Sequence, residues 1–380
     1  MSGIYLHVPF CRTACHYCDF HFSTSLNSVG AFVNGVVREI KLRSEMWKNE
    51  DFRTLYLGGG TPSVLSLQDI DKILGALNES LPGFNSERLD EATIEVNPED
   101  LTEEVSRGYV ECGFDRISIG VQTFDDSLLN WMNRKHSAEQ AESAVFAARK
   151  AGFNKVSIDL IYGLPHGSPK SFEHTVSKAF SLPIDHISCY ALTVEPRTVL
   201  GARVKKGEEK EAPDSVIESD YGLICSVAED NGFSHYEVSN WARNKENKAV
   251  HNSAYWLGAP YLGLGPGAHG FDGKSRYSVV SNNPKYLRSI DELILPDTLE
   301  TLTPADCSNE MMMTGLRTAQ GVNFNELEQL FGVDHIGSNK DAWQKWSEAG
   351  AIVSLDNGRH RISEEHWLIG DSIASDFIVL

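Results

Sequence analysis

Three of the chain's seven cysteines fall within eight positions, as Cys11-Arg-Thr-Ala-Cys15-His-Tyr-Cys18. This C-x3-C-x2-C run supplies three soft donors but lacks the second CxxC pair that a closed zinc site uses. Three thiolates suit a [4Fe-4S] cluster with one iron left open. Such an iron can chelate an amino and a carboxylate group beside a low-potential electron source. Two other readings stand beside it: zinc completed by His7, His16 or His21, and three cysteines that are simply buried. Cys112, Cys189, Cys225 and Cys307 each lie in apolar patterns that suit small core residues.

The surrounding elements must place these thiols. Short apolar runs at Ile4–Val8, Thr54–Leu57, Ala92–Val96, Arg116–Val121, Lys155–Ile161 and His186–Thr193 read as strands. Amphipathic stretches at Ala31–Trp47, Leu67–Leu81, Thr102–Cys112, Ala138–Ala151 and Ser171–Ser181 read as the helices between them. Successive βα units imply an α/β fold on a parallel sheet, closed into a full or partial barrel or left open and doubly wound. Either form puts ligands at the C-terminal strand ends. The unusual residues do collect there: Cys11 after the first strand, Gly58-Gly59-Gly60-Thr61-Pro62 after the second and Glu95-Val96-Asn97-Pro98 at the third. Gln122-Thr123 ends the fourth, and Asp159 lies in the fifth, ahead of Gly163-Leu164-Pro165.

Residues 195–213, rich in Arg and Lys, read as a surface loop. From about Asp291 the pattern turns helical, with Pro304–Ala319, Phe324–Phe331 and Asn339–Ala349, then a strand pair at Ala351–Leu355 and His360–Ile362 and a last helix. That order suggests a small winged-helix-like domain. The expected division is a barrel core over 1–200, an extension over 201–290 and a helical C-terminal domain over 291–380.

Composition narrows the function. Among 380 residues, 34 Lys and Arg face 53 Asp and Glu, a net charge of −19 that argues against general nucleic-acid binding. No apolar run approaches the ~20 residues of a membrane helix. With an odd cysteine count and no basic leader before the first strand, a cytoplasmic location is expected.

Tyr5-Leu-His-Val-Pro-Phe-Cys11, the two following cysteines and Gly58-Gly-Gly-Thr-Pro62 resemble the radical S-adenosylmethionine (SAM) superfamily, in the branch of oxygen-independent coproporphyrinogen III oxidase and its haem-chaperone relatives. The resemblance implies a partial TIM-like (β/α)6 barrel with a small helical, winged-helix-like C-terminal domain. It implies that Cys11, Cys15 and Cys18 bind a [4Fe-4S] cluster. Tyr5, Tyr17, Gly59, Gly60, Thr61, Glu95, Gln122, Arg134, Asp159 and Ala191 match SAM-contacting positions. Read singly, Arg134 could be a surface charge, Gln122 a satisfied strand-end group and Asp159 a helix cap.

Two departures separate the chain from the porphyrinogen enzymes, which carry a further cysteine where Phe20 stands and an extension before the first strand. His251-Asn-Ser-Ala-Tyr255-Trp256 is similar to the HNxxYW signature of the haem-chaperone relatives. The implied function is binding of haem and its transfer to an acceptor protein, with His251, Tyr255 and Trp256 at the haem. An imidazole is a common haem ligand, and Arg243, Lys245 and Lys248 could face propionates. The glycine-dense Gly263–Gly270 could line the same cavity, with His269 a second ligand candidate. A capped turn with an aromatic anchor is the plainer reading of His251. The competing function is a radical SAM oxidoreductase acting on coproporphyrinogen III or a related small substrate. No residue is assigned as catalytic.

Overall fold

A computed structural model describes residues 2–379. Six parallel strands follow one another in chain order: β1 (Ser2–Val8), β2 (Phe52–Gly59), β3 (Glu91–Val96), β4 (Arg116–Gln122), β5 (Lys155–Tyr162) and β6 (His186–Ala191). Their nearly continuous apolar runs suit strands covered on both faces: Ile4, Leu6, Val8, Ile117, Ile119 and Ile158 are fully buried. The helices between them are α1 (Val29–Arg43), α2 (Leu67–Ser80), α3 (Glu103–Glu111), α4 (Asp126–Trp131), α5 (Ala138–Ala151) and α6 (Pro169–Ser181). The bounds of α5 coincide with the sequence pattern because strong signals fix both ends. Ser137 and Gln140 form a capping box at its start, and Gly152 ends it at φ +103°.

The sheet does not stop at six strands. β7 (Ser234–Glu237) and β8 (Asn240–Ala242) extend it beyond β6, while β9 (Tyr261–Leu264), β10 (His269–Phe271), β11 (Ser275–Val279) and β12 (Asp297–Thr301) extend it beyond β1. The result is an incomplete barrel in which β9 joins β1 in parallel and the other flanking pairs are antiparallel. Two sequence expectations change here. The 195–213 stretch is not all loop, since it contains α7 (Val199–Lys205), followed by α8 (Asp214–Asp230). The helical C-terminal pattern begins later than Asp291, because β12 still pairs with β11 in the main sheet.

Beyond Thr301 lie helices Pro304–Leu316, Phe324–Phe331 and Lys340–Glu348 and the hairpin Ile352–Ser354/His360–Ile362, an arrangement of the winged-helix kind. Backbone bonds join this unit to the sheet flank: Glu237 bridges Thr318, and Ala319 N–H donates to Tyr236 O at 3.0 Å.

α9 (Val250–Trp256) carries the HNxxYW residues and closes the N-terminal end of the barrel. Glu91, at the start of β3, accepts from the Val250 and His251 N–H groups at 3.1 and 3.0 Å. Thr54, near the start of β2, bonds His251 Nδ1 at 2.8 Å. Among the described residues no helix is long and apolar enough to cross a membrane.

Candidate functional site

At the opposite end, the strand ends surround a cavity of about 380 Å³ lined by Cys11, Cys15, Cys18, Tyr17, Gly59, Gly60, Thr61, Glu95, Gln122, Arg134, Asp159 and Ala191. These residues are far apart in sequence, and the parallel topology brings them together. Tyr5 is the exception among the positions expected here. It is not part of the cavity wall, and its hydroxyl meets His7 Nδ1 at 3.1 Å.

The cysteine loop is held by protein bonds along its length. A Phe10–Ser23 bridge closes it, and Cys11 N–H donates to Ser23 O at 3.1 Å. His16 N–H donates to Met132 O, and His16 O accepts from Leu200 N–H of α7. Asn133, at φ +63°, donates to Ala14 O at 2.7 Å. Burial pushes the Cys11 thiol up to about 11 and that of Cys18 up to about 12. A thiolate at neutral pH therefore needs a bound cation to hold it. Among the described residues no three His, Cys, Asp or Glu side chains converge on one ion.

The glycines have a backbone reason to be glycine. Gly59 adopts φ +102°, and a Cβ there would lie 2.5 Å from the His7 ring. A Cβ on Gly60 would meet the carbonyl oxygens of Val8 and Phe10 at 2.7 Å. The tight-turn reading and a ligand-facing role coincide, because close approach of β2 to β1 leaves main chain on the cavity wall.

A polar chain runs behind this wall. Thr61 Oγ1 donates to Cys11 Sγ at 3.4 Å and accepts from Asn97 Nδ2 at 3.2 Å. Asn97 Oδ1 in turn accepts from Arg134 Nη2 at 2.8 Å, and Arg134 Nη1 lies 3.6 Å from Cys15 Sγ. Arg134 is thus no surface charge. Its Nε remains buried without a partner, a donor left for something the protein itself does not provide. Gln122 ends β4 at φ +69°, beside a register shift. A side chain held in that region is uncommon and is retained where the surroundings demand it. Asn97 is the site residue that sequence reasoning missed, although its place directly after a strand end was visible.

Glu95 and Asp159 are half-buried and face the lumen. Glu95 accepts from Tyr56 Oη at 2.6 Å and from Gly59 N–H at 3.2 Å, and Asp159 from Ser118 Oγ at 2.9 Å. Desolvation raises Glu95 to about 7 and Asp159 to about 6. A carboxyl raised in the folded state favours folding below its unfolded pKa, and that advantage is lost as pH rises through the folded value. Glu95 therefore contributes a loss of stability between about pH 4.5 and pH 7, set against the gain over the same range from buried His7 and His251, whose pKa values lie at about 4. Urea midpoints of the parent and of Glu95→Gln isolate this contribution: the variant is expected to gain stability relative to the parent as pH rises through that range, and an equal pH dependence in the two would refute it.

The HNxxYW residues lie elsewhere. His251 is buried on the barrel floor, with Nδ1 on Thr54 and Nε2 on the Tyr255 hydroxyl at 2.8 Å. Both ring nitrogens are engaged, and burial lowers its pKa to about 4. Trp256 sits outside the lumen, with the Arg317 guanidinium 5.3 Å from its ring centre. The basic residues upstream do not converge on His251: Arg243 donates to Ile184 O, and Lys248 lies over the Tyr236 ring. The segment Gly263–Gly270 does not line the cavity, and His269 is exposed on β10. Its glycines serve close packing, since a Cβ on Gly263 would fall 1.8 Å from His269 O.

A parallel βα barrel with three cysteines after its first strand and a glycine turn after its second is the architecture of a radical SAM protein, and residues 5–179 match the Radical SAM superfamily. Residues 302–369 match the HemN C-terminal domain. The fold superposes on the coproporphyrinogen III oxidase HemN of Escherichia coli with a TM-score of 0.85, covering 100% of this chain and 90% of that one at 23% identity. Among curated relatives, the heme chaperone HemW of Bacillus subtilis is 33% identical over 100% of this chain and 99% of its own. That of Lactococcus lactis is 35% identical over 100% and 97%. The chain belongs to the HemW family of radical SAM proteins.

Proposed function

We propose that this protein is a haem chaperone that binds a [4Fe-4S] cluster, SAM and haem and passes the haem to an acceptor protein. The observation that carries the reading is the end-to-end similarity to proteins named heme chaperone HemW. In this reading Cys11, Cys15 and Cys18 hold three irons. Gly59, Gly60 and Thr61 present backbone and hydroxyl to the methionine part of SAM, with Tyr17, Glu95, Gln122, Arg134, Asp159 and Ala191 around the rest. The donor set fits: three thiols share one wall, with an unpartnered guanidinium nitrogen suited to a carboxylate beside them. The bound cluster supplies electrons at low potential. The chain's own contribution is to orient the ligand and to keep Arg134 charged between Asn97 and Cys15.

The test is anaerobic reconstitution of the cluster, followed by haem titration and 5′-deoxyadenosine measurement in the same sample. Saturable haem binding is expected. Its absence, with the cluster intact, would sink the reading, and turnover of coproporphyrinogen would favour the oxidoreductase instead.

Haem contact at the His251–Trp256 segment requires iron to displace Tyr255 from Nε2. Tyr255→Phe removes that competitor and is expected to tighten haem binding several-fold, roughly the ~1 kcal/mol of one lost hydrogen bond. An unchanged affinity and Soret band would place the iron ligand elsewhere.

A further inference from the structure

We propose that the deep end of the barrel lumen, between the strand-end cavity wall and the α9 floor, binds a small carboxylate on Thr93, Arg116 and Asn252. All three line the cavity, and none belongs to the set matched to SAM. Thr93 and Arg116 are 1% and 2% exposed, and they are direct cross-strand partners on β3 and β4. Each keeps a buried polar atom without a partner, Thr93 Oγ1 and Arg116 Nη1. Buried donors are almost always paired, and leaving one unpaired costs about as much as a lost hydrogen bond.

The neighbouring groups show that the deficit is local. His186, at the same depth, is satisfied on both sides, by Ser157 Oγ at 2.8 Å and by Tyr236 Oη at 2.7 Å. Arg116 itself is otherwise well held, with Nε on Glu91 at 2.8 Å and Nη2 on the carbonyls of Asn247 and Lys248. The nitrogen and hydroxyl named above are the ones buried here without a partner among the described residues.

Donor chemistry selects the class of ligand. Arg116 and Lys155 both lean on Glu91, at 2.8 and 3.7 Å, Lys155 also pairs with Asp115 at 3.3 Å, and Glu91 accepts two backbone N–H groups from α9. Glu91 is thus fully engaged and cannot take the free Arg116 nitrogen as well, so the floor favours an added acceptor. A guanidinium edge, a hydroxyl and an amide together match the two oxygens of a carboxylate. α9 closes the floor, so the ligand enters from the cysteine end.

The experiment titrates the full-length, cluster-loaded protein with acetate and with propionate by calorimetry. Chloride at equal ionic strength is the control, and each titration is run with and without saturating SAM. One-site saturable binding that persists with SAM is expected, weakened about tenfold in Thr93→Val and in Asn252→Ala. Three results would overturn the proposal: no saturable heat, which assigns the floor to water; loss of binding on adding SAM, which puts the carboxylate among the strand-end residues; or unchanged affinity in both variants. Haem binding by the same samples is scored separately, so failure here does not bear on the chaperone reading.

Discussion

Replacing any one of Cys11, Cys15 or Cys18 with Ser is expected to abolish retention of the cluster, with iron and sulfide content and the visible absorbance of the reconstituted protein falling to background. A serine hydroxyl is a hard donor with a far higher pKa than a thiol, so it holds iron poorly. The three thiols share one wall with no fourth cysteine among its lining residues, so the loss of one leaves two ligands. The change should be confined to the metal: the loop keeps its Phe10–Ser23 bridge and its bonds to Met132, Asn133 and Leu200 in each variant. Circular dichroism and urea midpoints of the metal-free variants should therefore match the parent protein. Full iron retention in any of the three would remove that residue from the ligand set.

The largest stability effect is expected far from the cysteines, at Arg43. This fully buried guanidinium donates to Glu39 at 2.9 Å, forks onto Asp297 at 2.7 and 2.8 Å, and lies 4.3 Å from the Tyr277 ring centre. Glu39 also accepts from Tyr286 Oη and Gly265 N–H, both at 2.8 Å. The cluster ties α1 to the β9–β10 turn and to β12. Arg43→Met strands a buried carboxylate, a loss of about 3–5 kcal/mol. In the double variant with Glu39→Gln, part of that loss should return, because the uncompensated charge is gone. Urea unfolding of the two variants measures both values, and a loss below about 1 kcal/mol for Arg43→Met would mean that the pair is solvated.

The way these two sites read in the sequence shows what a linear pattern carries. The cysteines and the strand-end residues were legible because a parallel βα repeat has to deliver the ends of its strands to one face. Arg134 and Asn97 were each visible, one as a match to a SAM-contacting position and the other just past a strand end, but only the structure shows the mutual bond that makes them a unit. Glu39 and Arg43 look like an ordinary solvent-facing i, i+4 pair. Nothing in their spacing shows that the antiparallel flank covers them. β12 escaped detection for the opposite reason. Leu299 and its neighbours are largely exposed, so the strand has no buried face to impose alternation. The HNxxYW segment resembles the signature of the haem-chaperone relatives, and its imidazole and aromatic rings are compatible with haem. Its place on the barrel floor depends on Thr54 and Glu91, partners that no local motif reveals.

The anchoring of the cysteine loop also bears on the order of assembly. In a zinc finger the metal supplies the free energy of folding, and the ligands meet only when it arrives. Here the bonds from Ser23, Met132, Asn133 and Leu200 owe nothing to iron. The entropic cost of gathering the thiols falls on these protein contacts and not on a metal. The expected consequence is that the proposed cluster enters a loop already shaped for it, and that removing and restoring it leaves the fold intact.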